Sequence, residues 1–239
     1  MRRSTLIAAA LLVASPALVA SQTLALDSHA ADNSARVSRL AGYAEIARLD
    51  SKEQPDMRQG RDVKDQAKSA FNQIIAYYNA AIKKDPKDDD AYFHRGIAKF
   101  FTGSLATARA DVAQASKLDP KYPYYALWID IIDKRSNAPS ALEQGIAQVD
   151  MTKWPAPVVR MFLGETTPAA VLAAADDPDP KTKIGQVCEA DFYSGELALQ
   201  QGAKEEAARL FHLAANACPH EFVEGPAAKD ELAVLDGVE

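Results

Sequence analysis

An all-α protein of antiparallel helix pairs stacked as a solenoid is the fold this sequence predicts, on three observations. The chain repeats itself at a period of 34 residues, it is 48% hydrophobic but only 8% aromatic, and small residues recur where two helices would cross. Asp85-Pro86 returns as Asp119-Pro120, and Ala81 returns as Ala115, each displaced by 34 residues. A length of 239 residues suffices for one or two compact domains with a core of their own.

Residues 1–25 read as a secretory signal. Arg2 and Arg3 precede a short apolar run, Leu6 to Ala14, and Pro16 breaks the helix before small residues at Ala20, Ala25 and Ala30, each of which suits cleavage. The run is too short to cross a bilayer comfortably, so no transmembrane span is expected in the mature chain. Residues 26–61 are expected to form an N-terminal helix, Ser34 to Leu49, and a polar linker. The formal net charge is −6, and losing Arg2 and Arg3 brings it to −8. That balance disfavours nucleic acid and anionic membranes as partners.

Helical repeats are expected over residues 62–223. Asp62 to Lys84 carries Ile74, Tyr78 and Ala81 at second-helix positions and reads as one long helix or a decayed pair. The clearest unit is 89–120. Tyr92 takes the first aromatic position, Gly96 the small position of the first helix, Gly103 the turn, Ala108, Val112 and Ala115 the second helix, and Pro120 closes it. The reason is steric: two helices approach closely only where small residues stand at the crossing, which Gly96, Ala108 and Ala115 supply. Proline ends the second helix because it lacks the N–H that the ladder needs. A second clear unit, 188–219, repeats the set as Gly195, Gly202, Ala207, Ala214 and Pro219, every one displaced by 99, with Phe211 in the place of Val112.

Between the two units, Tyr122 to Arg135 reads as an apolar helix with Pro139 to Val149 as its partner. Pro155 to Gly164 followed by Pro168 to Ala175 reads as a short hairpin, with proline near helix starts where it is tolerated. Cys188 and Cys218 bound the second clear unit and fall at the same open end of its hairpin. An oxidising compartment would permit their disulfide, and two buried free thiols acting as small apolar residues are the other reading. Residues 224–239 are expected to form a capping helix and tail.

The pattern from Tyr92 to Pro120, and its echo from Gly195 to Pro219, resembles tetratricopeptide repeats. The order of parts is similar to the NlpI-type periplasmic adaptor family of bacteria: the aromatic Tyr122 to Trp128 helix, Trp154 to Leu163, Ala190 to Gly195, and Ala214 to Glu224 before a last helix. The resemblance covers roughly residues 62–235. It implies an adaptor that binds envelope proteins, including peptidoglycan hydrolases and a processing protease, and often works as a homodimer. Members of that type are outer-membrane lipoproteins, whereas this leader has no lipobox cysteine, so a periplasmic location without a lipid anchor is expected.

The sequence carries no Gly-x-Ser-x-Gly, no His-Glu-x-x-His and no phosphate-binding Gly-x-x-x-x-Gly-Lys, so no catalytic activity is expected. The two cysteines and four histidines have no metal spacing, so neither cofactor nor metal is expected. Asp88 to Asp90 and Asp176 to Asp179 read as helix caps rather than calcium loops. What remains is a groove. In stacked pairs the first helices line the concave side, which makes His94, Arg95, Lys99, Tyr125 and Asp191 the candidates to contact a client protein. The expected function is a non-catalytic scaffold of the cell envelope. The alternative is a structural subunit or a homodimer whose groove is filled by its own N-terminal segment.

Overall fold

The structure, a computed structural model, describes residues 60–236, with side chains from residue 68 onward. The signal and nearly all of the helix and linker expected over 26–61 lie outside the described residues. Among these there are ten α-helices and no strand: α1 (Gly60–Lys84), α2 (Asp89–Phe101), α3 (Leu105–Leu118), α4 (Pro123–Arg135), α5 (Leu142–Gly145), α6 (Ala156–Phe162), α7 (Pro168–Ala174), α8 (Pro180–Gln200), α9 (Lys204–Ala217) and α10 (Glu224–Leu235). Residues 62–84 thus form one long helix rather than a decayed pair. The partner expected over 139–149 is reduced to the single turn of α5, whose Gly145 packs against Ala126 of α4.

Helices α2 and α3 form one hairpin and α8 and α9 another, and the two are built alike. A Cβ added at Gly96 would meet Val112 Cγ2 at 2.7 Å and the Ala108 carbonyl oxygen at 3.1 Å; one added at Gly195 would meet the Phe211 ring at 2.8 Å. The turns carry Gly103 at φ 76° and Gly202 at φ 77°, in the left-handed region that L side chains enter at a cost. Asp88 caps α2 by accepting from Ala91 N–H at 2.9 Å, and Asp179 caps α8 by accepting from Thr182 N–H at 2.9 Å. Both acidic runs therefore serve helix starts, where free N–H groups and the helix dipole favour carboxylates.

Cys188 and Cys218 form a disulfide that ties the start of α8's core segment to the end of α9. The core runs through both hairpins as a chain of aromatic contacts. Phe93 meets Trp128 edge-on with centroids 6.3 Å apart, Trp128 stacks on Phe192 at 5.8 Å, and Phe192 meets Phe211 at 5.9 Å. Trp128, Phe192 and Phe211 are fully buried, so this chain joins elements far apart in sequence.

Helix α10 packs on α8 and α9 and also reaches the first hairpin. Val223, Pro226, Ala227 and Asp230 close over Phe71, Ile74, His94, Ile97, Ala98 and Phe101 of α1 and α2, leaving only a small cavity between. The last helix is therefore buried on its inner side, at Ala227, Ala228 and Glu231.

Candidate functional site

The five side chains that the repeat pattern offers for a groove do not share one surface. His94 is buried, stacked on Tyr78 at 5.4 Å and facing Asp90 at 3.5 Å. Tyr125 is 2% exposed and donates its hydroxyl to Asp89 at 2.6 Å. Arg95 and Lys99 converge on Asp111 of α3. Arg95 Nε and Nη2 donate at 2.7 and 2.6 Å, and Lys99 Nζ donates at 2.7 Å. Arg95 also lies over the Tyr92 ring at 5.3 Å and reaches Asn79 of α1 at 2.8 Å. These two cations thus hold α1, α2 and α3 together through bonds made within the fold. Asp191 lies apart, on α8.

The packing positions fall inside. Ala108, Val112, Ala115, Cys188, Ala207, Phe211 and Ala214 are fully buried, whereas Tyr92, Pro120, Pro219 and Cys218 are half-buried at the hairpin ends. Gly96 and Gly195 stand at the two helix crossings.

The structure also assembles a polar feature that sequence reasoning did not single out. Glu189 and Glu196 stand seven residues apart on α8, and Glu224 and Glu231 seven apart on α10; all four are buried. They meet as two rungs. In one, Glu189 accepts from Tyr124 Oη at 2.6 Å and from Trp154 Nε1, while Tyr193 Oη donates to Glu224 at 3.0 Å. In the other, Arg135 Nη2 donates to Glu231 at 2.9 Å and to Glu196 at 3.3 Å, its guanidinium lying over the Phe100 ring at 4.9 Å.

Burial dominates the electrostatics of the rungs. It pushes Glu189 up to about 8, the Glu224 charge adding to it and the Tyr124 and Trp154 hydrogen bonds opposing it. Burial likewise pushes Glu224 up to about 7. Glu196 is held well above the usual carboxylate range, first by burial and then by Glu231, with Arg135 acting the other way. Chemically the rungs bind protons and fasten α10 to α4 and α8. The signal was present in the spacing alone: Glu189 and Glu196 stand seven residues, two helical turns, apart, and Glu224 and Glu231 repeat that spacing.

Open hollows lie at the surface of the described residues, two of them sizeable. One, of about 740 Å³, lies where α4, α8 and α10 end, between Lys134, Arg135, Glu196, Lys204 and Leu235. The other, of about 540 Å³, runs between α7 and the α8–α9 hairpin, with Asp191, Ser194 and Ala198 from α8 and Leu210 and Leu213 from α9. Among the described residues no three His, Cys, Asp or Glu side chains gather so as to hold a metal ion, and no helix is long and apolar enough to cross a membrane. No protein-family model matches the chain.

Proposed function

We propose that this protein is a non-catalytic adaptor of the bacterial cell envelope, a tetratricopeptide-type array exported to the periplasm that holds other envelope proteins on its helical surface. The observation that carries the reading is the recurrence, 99 residues apart, of the same hairpin: glycine at the crossing, alanines below it, glycine in the turn. Repeated hairpins of this kind build extended surfaces suited to grasping peptides and helices. Two further features support it. The Cys188–Cys218 disulfide fits an oxidising compartment. Large apolar side chains, Leu172 at 46% and Leu213 at 44% exposure, face solvent on either side of one hollow.

By the family resemblance, the clients include peptidoglycan hydrolases or a processing protease. The test is cross-linking in the intact envelope followed by affinity capture, with an unrelated exported helical protein as the control bait. A small set of envelope proteins enriched over the control is the expected result. A chain that captures only itself would replace the adaptor with a self-assembling structural subunit.

A further inference from the structure

Resting on the adaptor reading, we infer that the hollow between α7 and the α8–α9 hairpin is the docking groove, and that it takes a client segment presenting a lysine or arginine flanked by apolar side chains, with Asp191 receiving the cation.

The two hairpins show why a groove exists here. Displacement by 99 residues carries Tyr92 to Asp191, Arg95 to Ser194, Lys99 to Ala198 and Asp111 to Leu210. In the first hairpin those four positions form a closed cluster: both cations reach Asp111, and the guanidinium covers Tyr92. In the second hairpin the two long cations become serine and alanine, and the acid that held them becomes leucine. A hollow of about 540 Å³ borders those positions. The carboxylate moves to the position of the aromatic ring, at the groove's inner wall.

Asp191 is then an acid without its cation. It is only 7% exposed, and among the described residues burial and the through-space charge of Arg209, not a hydrogen bond, govern its carboxylate. Arg209, the cation that acts on it, stays beyond ion-pair distance, because Glu206 holds its guanidinium in a two-pronged bond at 2.8 and 2.7 Å. Burial pushes the Asp191 carboxyl up, and the charge of Arg209 acts the other way. Around it the wall is largely apolar or small, at Ala190, Leu197, Ala198 and Leu210, with Leu172 and Leu213 exposed at the lips and the Glu206–Arg209 pair and Gln201 also lining the hollow. With Arg209 and Glu206 paired to each other, Asp191 is the acid of this largely apolar trough left to receive a cation, so a ligand that sets a cation among apolar groups is favoured over one that leaves the acid desolvated and unpaired.

The test is to pan a random-peptide display library on the full chain, and then to measure a selected synthetic peptide against wild type, Asp191→Asn and Leu213→Glu. Selected peptides should carry Lys or Arg between apolar residues. Asp191→Asn should weaken binding at least about tenfold and abolish the preference for a basic residue. It should also raise the melting temperature, because the buried charge is gone; a side chain kept only for the fold would show the opposite. Leu213→Glu, on the exposed lip, should lose binding with the fold intact by circular dichroism.

Peptides selected without a basic residue, or bound equally by all three chains, would overturn the assignment. A second copy of the chain would reveal itself as a dimer that Leu213→Glu converts to monomer, and the chain's own segment 26–61 as peptide binding that appears only after its deletion. Either result would also overturn it. If envelope clients are captured equally by wild type and both variants, this groove falls while the adaptor reading stands; if no client is captured by any of them, the adaptor reading falls.

Discussion

Single atoms decide how closely the helices of this protein approach. At Gly195 the place of a methyl group is taken by the Phe211 ring, 2.8 Å from where the Cβ would stand. Gly195→Ala should therefore destabilise by about 1–3 kcal/mol through overpacking, more than offsetting the helix propensity of alanine, and chemical denaturation would measure it. The buried acids make a different demand. Glu189 titrates at about 8 in the folded chain against an ordinary 4.5, so between those values the folded state binds the extra proton. Stability is then full below about pH 4.5 as far as this group is concerned, falls as pH rises towards 8, and is flat beyond. The slope is at most about 1.4 kcal/mol per pH unit. Melting temperatures measured across that window should fall for wild type and fall less for Glu189→Gln, which can still accept from Tyr124 and Trp154.

At the level of helices and hairpins, the disulfide is the clearest lever. It closes a separation of 30 residues, for which chain entropy predicts roughly 3 to 4 kcal/mol of stabilisation. Cys188→Ser with Cys218→Ser should lose about that much, and mass analysis after alkylation without reductant should find no free thiol in wild type. The hairpins themselves were legible in the sequence because their determinants are local: glycine at a crossing, glycine in a turn, proline at the end. The helix expected over Pro139 to Val149 was not, since only the turn Leu142–Gly145 winds up and Ser140 instead donates to Asp130 of α4. The candidate groove was legible only in Asp191. His94, Arg95, Lys99 and Tyr125 share its helical face in the pattern, but Asp111, Asp89 and α10 engage or cover them, and those partners lie in other elements. Periodicity reports which face a residue takes, not what arrives to cover that face.

At the scale of the whole described molecule, helix α10 changes how the two hairpins are held. Open repeats contact only their neighbours and can unfold piece by piece. Here α10 is fastened to α4 and α8 by the Arg135, Glu196 and Glu231 cluster and closes over α1 and α2. Arg135→Met would leave two buried acids without their cation and should cost about 3–5 kcal/mol, with amide exchange in α2 and α10 accelerating together rather than in α10 alone. The same closure sets a clock on biosynthesis. His94 leaves the ribosome more than a hundred residues before Asp230, an interval on the order of ten seconds, during which the apolar inner side of α2 has no lid. A nascent chain of this design stays open until α10 is made, and so remains long in the state that a chaperone can handle.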